Sequence, residues 1–337
     1  MRNVRADRHF KMVLVLFLSA LFAAVSLAQT PTPTASPTPD DEPIKVDTLL
    51  INIPMIVTDR DGRYVGGLKK DDFSIELDGV KQEIEYFADA EAPVSVAIIL
   101  DMSGSTLPYI KAIRDAAKAF VDKLNPADQA VVMTFDQRST INVECELTSD
   151  RKKLSGKIGS LRHSFRDPMV ERGVGVYPDM YDTIYKAIKK EFASVKGRKA
   201  IIVLTDGFIV GQTVKPKVFD DTIIEGDTVI YPVMFVTRQH LGRDKTSITT
   251  DELYKQPSTD ALNKIAIKTG GRLILAGKDV DFNSAFQAVG DELRKQYILG
   301  FVPSNVEDLK AGRIALGVNK PGMKVRSKSV IRVRRSH

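Results

Sequence analysis

Cysteine occurs once in this chain, as Cys145, and histidine four times. A single thiol excludes an intramolecular disulfide framework and any zinc cluster held by several thiolates. Cys145 falls in a strand-prone run, Thr140 to Leu147, and reads as a small strand or core residue. His9 and His337 stand near the ends of the chain, and His163 and His240 form no His-Glu-x-x-His pair. No Gly-x-x-x-x-Gly-Lys-[Ser/Thr] stretch is present, and Gly173-Val174-Gly175 is too short for a dinucleotide fingerprint. Internal repeats are missing as well.

Strong charge of one sign is also absent. The formal net charge is +6, but residues 1–28 hold four basic residues against one acidic. The remaining 45 basic and 42 acidic residues leave +3, and no nucleic-acid partner follows from that. The most apolar run, Met12 to Val25, is too short for a comfortable membrane span. It follows the basic residues of positions 2–11 and precedes Ser26-Leu27-Ala28, with small residues at both cleavage positions. Residues 1–28 therefore read as an export signal cut after Ala28, leaving no stable span and a periplasmic or extracellular protein; a retained anchor is the alternative. No cysteine follows the run, which argues against a lipoprotein anchor.

What is there begins with a spacer. Residues 29–43 alternate Pro and Thr from Thr30 to Pro39 and add Asp40-Asp41-Glu42, a composition that cannot bury a core. Residues 44–92 are short strand-prone runs with turns at Asp61-Gly62 and Asp78-Gly79, both hairpin signals. Pro54 interrupts Val46 to Thr58 and suits an edge or a bulge. Asp59-x-Asp61-Gly62 lacks the later acidic ligands of a calcium loop.

Residues 93–302 then alternate strands and helices, which implies a doubly wound, mostly parallel sheet with helices on both faces. Tyr297 to Val302 reads either as the last strand of this region or as the bridge out of it. Residues 303–337 add strands at Ile314 to Val318 and Val325 to Val333 around the turn pair Pro321-Gly322. These are expected to pair with the 44–92 strands, so that both ends of the chain build one small β-sandwich with the α/β domain inserted into it. Lys324, Arg326, Lys328, Arg332, Arg334 and Arg335 alternate with Val325, Val330 and Val333 and are expected to form one solvated strand face.

The chemistry concentrates where the first buried strand ends. Val94 to Leu100 reads as an apolar run, broken only by Ser95, and is followed by Asp101, Ser103, Gly104 and Ser105, with Pro108 suited to the first turn of the next helix. A carboxylate and two hydroxyls are thus placed on a loop at the carboxyl end of a strand, where open α/β sheets hold ligands. Oxygen-only donors of this kind suit a hard divalent cation, Mg2+ or Mn2+.

Asp101-x-Ser103-x-Ser105, with Thr205-Asp206-Gly207 ending a later strand, resembles a von Willebrand factor type A domain over roughly residues 94 to 302. The flanking segments resemble those of bacterial, acidobacterial-type secreted proteins with this domain. The resemblance implies a Rossmann-like fold and a metal-ion-dependent adhesion site. Ser103 and Ser105 would coordinate the ion, Asp101 and Asp206 would hold its water, and a partner's carboxylate would take the open position. Thr205 is expected to support the loop rather than bind the ion.

The middle loop departs from the family, which reads Gly-Gly-Thr-Ala-Leu-Tyr-Asp where this chain reads Val176-Tyr177-Pro178-Asp179-Met180-Tyr181-Asp182. Pro178 replaces the coordinating Thr and has no hydroxyl. Three outcomes stay open: Asp179 reaches the ion, a Ser from elsewhere substitutes, or this copy has lost metal affinity. Phe208, Ile209 and Val210 follow the Thr-Asp-Gly turn, where they either line a partner-binding surface or fold back as core.

Catalytic readings find little support. Ser103 lacks a Gly-x-Ser-x-Gly elbow, and an aspartyl phosphatase would want an Asp where Ser103 stands. The sequence thus points to a secreted, non-catalytic adhesion or protein-interaction module that grips a protein ligand's acidic group through Mg2+. The alternative is a metal-independent scaffold component of an envelope or extracellular assembly.

Overall fold

The computed structural model describes residues 50–89, 92–136, 141–162, 179–208, 212–236, 257–276, 281–303 and 311–332. The chain separates into two units, 1–47 and 48–337, and every described residue belongs to the second. The export segment and the Pro/Thr spacer lie outside the described residues, as do Arg334 and Arg335. Among the described residues no helix is long and apolar enough to cross a membrane.

The strands of the α/β region are β5 (Val94–Asp101), β6 (Gln129–Phe135), β7 (Ile141–Thr148), β8 (Arg198–Thr205), β9 (Thr228–Phe235) and β10 (Ile274–Ala276). They form one sheet in the order β10-β9-β8-β5-β6-β7, parallel throughout except for the antiparallel edge strand β7. The helices are α1 (Ile110–Asp122), α2 (Arg151–Ser160), α3 (Met180–Lys186), α4 (Pro216–Glu225), α5 (Pro257–Thr269) and α6 (Phe282–Leu293). Side chains of α1, α2 and α6 bury one face of the sheet, and those of α3, α4 and α5 bury the other. Covering on both faces explains why β5 and β9 are buried at every position and mostly apolar rather than alternating. Cys145 is buried in β7.

The chain leaves β5 toward β6 on one side and returns to β8 on the other. The switch point therefore lies between β5 and β8, and the crevice outside their carboxyl ends is where this class of sheet binds ligands. Asp101 closes β5 and Thr205 closes β8.

The flanking strands build the sandwich expected from both ends of the chain. One sheet has the order β13 (Lys324–Ser327), β1 (Ile51–Thr58), β11 (Gln296–Phe301), β4 (Tyr86–Ala88). The other has the order β14 (Val330–Ile331), β12 (Gly312–Val318), β2 (Phe73–Leu77), β3 (Val80–Gln82). Met55, Val57, Phe73, Ile75, Tyr297, Leu299 and Ile314 meet in a core of their own. The Asp78-Gly79 pair makes the β2–β3 hairpin, with both residues at positive φ as a two-residue primed turn requires.

Three expectations change. The α/β domain does not extend to residue 302, because β11 pairs antiparallel with β1 and β4 in the sandwich. Pro54 is not in an edge strand: β1 lies between β11 and β13. But β13 pairs only from Met55 onward, so Pro54 faces a partner strand on one side alone.

The third change concerns the basic carboxyl-terminal strands, which are not one solvated face. Lys328 is 2% exposed and donates to the carbonyls of Ile224 (3.3 Å) and Gly226 (2.8 Å) at the end of α4. Arg326 donates to the Gly270 carbonyl at the end of α5 (2.9 Å) and to buried Glu292 of α6. Arg332 pairs with Asp221 of α4. Periodicity placed these cations on a strand face, but that face packs on helix carboxyl ends, whose partial negative charge favours cations. Glu292 also takes Arg272 (2.7 Å) and the Tyr64 hydroxyl (3.0 Å).

Burial lowers the Lys328 amine from 10.5 to about 8, with the charge of Asp227 acting the other way. Between about 8 and 10.5 the unfolded chain then holds the proton more tightly than the folded one. Stability from this group accordingly rises with pH across that window, by up to about 3 kcal/mol. Urea denaturation of wild type and Lys328→Met at pH 7.5 and pH 10 measures this. The wild-type-minus-variant stability difference should grow with pH; an unchanged difference would show that the amine is not depressed.

Candidate metal and partner site

Two loops meet at the switch point. After β5 the backbone N–H of Ser103 turns back to Asp101 Oδ1 at 2.9 Å, and a 3-10 turn, Gly104–Tyr109, leads into α1. Met102 N–H donates to the Phe135 carbonyl at the end of β6 (2.9 Å), which ties the loop to the neighbouring strand. Inside the turn Thr106 is fully buried, and its hydroxyl lies 3.0 Å from the Asp101 carbonyl and 2.8 Å from that of Ser103. That places the hydroxyls of Ser103 and Ser105 together, 3.1 Å apart.

After β8, Thr205 is the joint. Its hydroxyl donates to Asp101 Oδ2 at 2.8 Å and accepts from Gly207 N–H at 3.0 Å. Gly207 has φ of +81°, a backbone few other residues adopt without strain, and a Cβ there would lie 3.2 Å from the Ser258 side chain. Phe208 N–H then donates to Asp206 Oδ1 at 3.1 Å. Asp206 is fully buried. Thr205 thereby hydrogen-bonds to both loops.

Asp101 carries the electrostatic signature of the site. Burial first, and the neighbouring charge of Asp206 second, push its carboxyl up to about 7, while Ser103 and Thr205 donate to it and pull it down. Two carboxylates are therefore held close together away from water, with two hydroxyls beside them. The donor set is oxygen only and includes two carboxylates, which fits a hard divalent cation. Among the described residues no three His, Cys, Asp or Glu side chains gather as a metal cage. The set is two acids and two hydroxyls.

Asp179 is placed otherwise than as a third acid beside Asp101 and Asp206. It is the N-cap of α3, with Oδ1 accepting from Tyr181 N–H at 2.8 Å. Pro178 and Ile209 lie outside the described residues. Phe208 is described and 37% exposed, so it does not fold back as core.

Sequence reasoning passed over two residues. Thr106 braces the Ser103–Ser105 turn, and its position directly after Ser105 was the available signal. Asp182 accepts from Asp179 N–H (3.2 Å), Thr213 N–H (2.9 Å), Val214 N–H (2.7 Å) and the Thr213 hydroxyl. It thereby ties the start of α3 to the segment leading into α4. Three of these four donors lie 31 or 32 positions away in sequence and leave no trace in a linear motif.

Residues 96–208 match the family model of the von Willebrand factor type A domain. No curated protein matches the chain. Among solved structures it is similar to BatB from Bacteroides thetaiotaomicron, at 19% identity over 60% of this chain and 98% of that one, with a TM-score of 0.42. A von Willebrand factor type A protein from Catenulispora acidiphila is 13% identical over 85% of this chain and 75% of its own, at 0.43. Proximal thread matrix protein 1 of the mussel byssus, solved with a zinc-occupied MIDAS motif, is 18% identical over 63% of this chain and 48% of its own, at 0.45.

The carboxyl of Asp101 should titrate near pH 7 in the metal-free protein, well above the 3.8 of a free side chain. Asp206→Asn removes the neighbouring charge and should bring that midpoint down. Carbon-13 NMR of the carboxyl resonances against pH reads both; a wild-type midpoint near 4 would contradict the packing of the two acids.

Proposed function

We propose that this chain, which carries a von Willebrand factor type A segment, is an exported, non-catalytic interaction module that binds a protein partner's acidic group through Mg2+ or Mn2+. Supporting it most directly is the contact of Thr205 with Asp101, which brings the Ser103–Ser105 turn and the Asp206 turn to one place. Ser103, Ser105, Asp101 and Asp206 would hold the cation, directly or through its water. The bound cation would supply a Lewis-acidic position open to a partner's carboxylate.

The chain's own residues perform the rest. Thr106 and Thr205 keep the hydroxyl and carboxylate loops in register. Burial keeps the two acids poorly hydrated, so that a cation entering the site relieves their repulsion. The Ser103 hydroxyl meets that of Ser105 and also donates to Asp101, so it belongs to the same oxygen set.

Isothermal titration tests the reading. Mg2+ and Mn2+ should bind the wild type at pH 8, and Ser103→Ala should weaken binding at least roughly tenfold. Lowering the pH through 7 should weaken it as well, since Asp101 must give up its proton. No heat with either metal at pH 8 would overturn metal dependence and favour the scaffold reading, to which the Pro178 departure also leans.

A further inference from the structure

We infer that the side of the α/β domain formed by α1 and α2 docks on an anionic phospholipid surface. The inference is independent of the cation site.

Residues 110–125 and 150–162, which hold the two helices and their ends, carry nine basic residues against three acidic. That is +6, whereas residues 29–337 as a whole carry +3, so the rest of that span sums to −3. Two acids on neighbouring β7 lower the local figure at most to +4, and one of them, Glu144, takes the Thr134 hydroxyl (2.9 Å). Residues 163–178, which follow α2 in sequence, hold two arginines and two acids and leave the balance unchanged.

The two helices run side by side in opposite directions, each held at its end by the other's arginine. Arg114 of α1 donates to the Gly159 and Leu161 carbonyls at the end of α2 (3.4 and 2.9 Å). Arg151 of α2 donates to the Leu124 and Asn125 carbonyls past the end of α1. A Cβ on Gly159 would lie 2.9 Å from Lys118 Nζ, so the missing side chain gives that ammonium its place at the seam. Each acid of the layer has a local partner. Asp115 holds Lys111 (2.7 Å), Asp122 accepts from the Ser155 hydroxyl (3.3 Å), and Asp150 caps α2 through Lys153 N–H (3.0 Å). Lys118, Lys123, Lys152, Lys153 and Lys157 form no ion pair among the described residues.

This distribution selects the partner. Guanidinium forks grip a defined carboxylate or phosphate, but the two at the seam are turned onto carbonyls. What remains is chiefly ammonium groups on flexible stems, which suit diffuse negative charge. No large apolar side chain of α1 or α2 is exposed, so these helices lack the dry anchor of a specific protein interface. Side by side and about 20 and 15 Å long, they present a face that a plane of headgroups meets all at once, whereas a polymer strand follows one row. Each Lys or Arg brought near such a surface strengthens binding about fivefold, and salt screens the effect within about 10 Å.

Sedimentation with vesicles tests this, on the full chain and with EDTA present so that the cation site plays no part. One vesicle contains phosphatidylglycerol and phosphatidylcholine in equal parts, the other phosphatidylcholine alone. The wild type should prefer the mixed vesicles, and Lys152→Glu/Lys153→Glu/Lys157→Glu should weaken that binding at least roughly tenfold. Residues 1–28 are basic and apolar themselves but are common to both proteins, so the difference between the two reads the α2 lysines. Lys189→Glu/Lys190→Glu/Lys196→Glu makes the same change of net charge at exposed positions that follow α3, on the other side of the sheet, and should cost far less. Single reversals at Lys152, Lys153 and Lys157, each expected to cost several-fold, cover a triple variant that fails to fold. Equal losses in the two triple variants, or a wild type that binds both vesicles alike, overturns the inference. Preference of the wild type for soluble dextran sulfate or polyglutamate, in competition at equal charge, assigns the face to a polymer or an acidic protein and overturns it as well.

Discussion

Two carboxylates from distant parts of the chain are kept together away from water, and the 2.8 Å bond from Thr205 to Asp101 is what keeps them there. Like charges in a poorly solvated place repel, so the arrangement costs free energy unless a proton or a cation enters. The fold tolerates that cost because β5 and β8 are adjacent, parallel and buried along their length, so their ends cannot drift apart without breaking the sheet. Thr106 and Gly207 then shape the two turns. A strained, acid-rich spot on an otherwise well-packed sheet is where a binding site is expected.

The architecture was legible because its signals are local. The long apolar runs of β5, β8 and β9 announce strands covered on both faces, and the helices between them follow from apolar spacing. Asp78-Gly79 announced its hairpin, and the sandwich built from both ends of the chain was legible in the pairing of strand-rich flanks. What escaped is tertiary. Nothing in the sequence places Lys328, Arg326 and Arg332 over the carboxyl ends of α4 and α5 or against α6; a basic, alternating strand reads as a wet face until the helices beneath it are known. Nor does local sequence reveal that Tyr297 to Phe301 leave the α/β sheet for the sandwich.

The candidate site divides the same way. Asp101, Ser103 and Ser105 are close in sequence and could be read as a ligand set from residue type and spacing alone. Asp206 needed the strand order to bring it near. Asp179 begins a helix beside the expected loop, where a carboxylate is also a good cap, and one of its oxygens takes the Tyr181 N–H. Glu292, with Arg272, Arg326 and Tyr64 around it, fixes the last helix to the sandwich, so the oxygen cluster sits on a sheet that the flanking domain braces rather than on an isolated module.

The account stands on a cation lying between the two loops. Crystals grown or soaked with Mn2+ and measured for anomalous scattering locate that ion directly. The predicted result is a single strong peak within coordination distance of the Ser103 and Ser105 hydroxyls, with Asp101 and Asp206 around it. A difference map with no peak at the carboxyl ends of β5 and β8, from protein whose two loops keep the bond between Thr205 and Asp101, would contradict it.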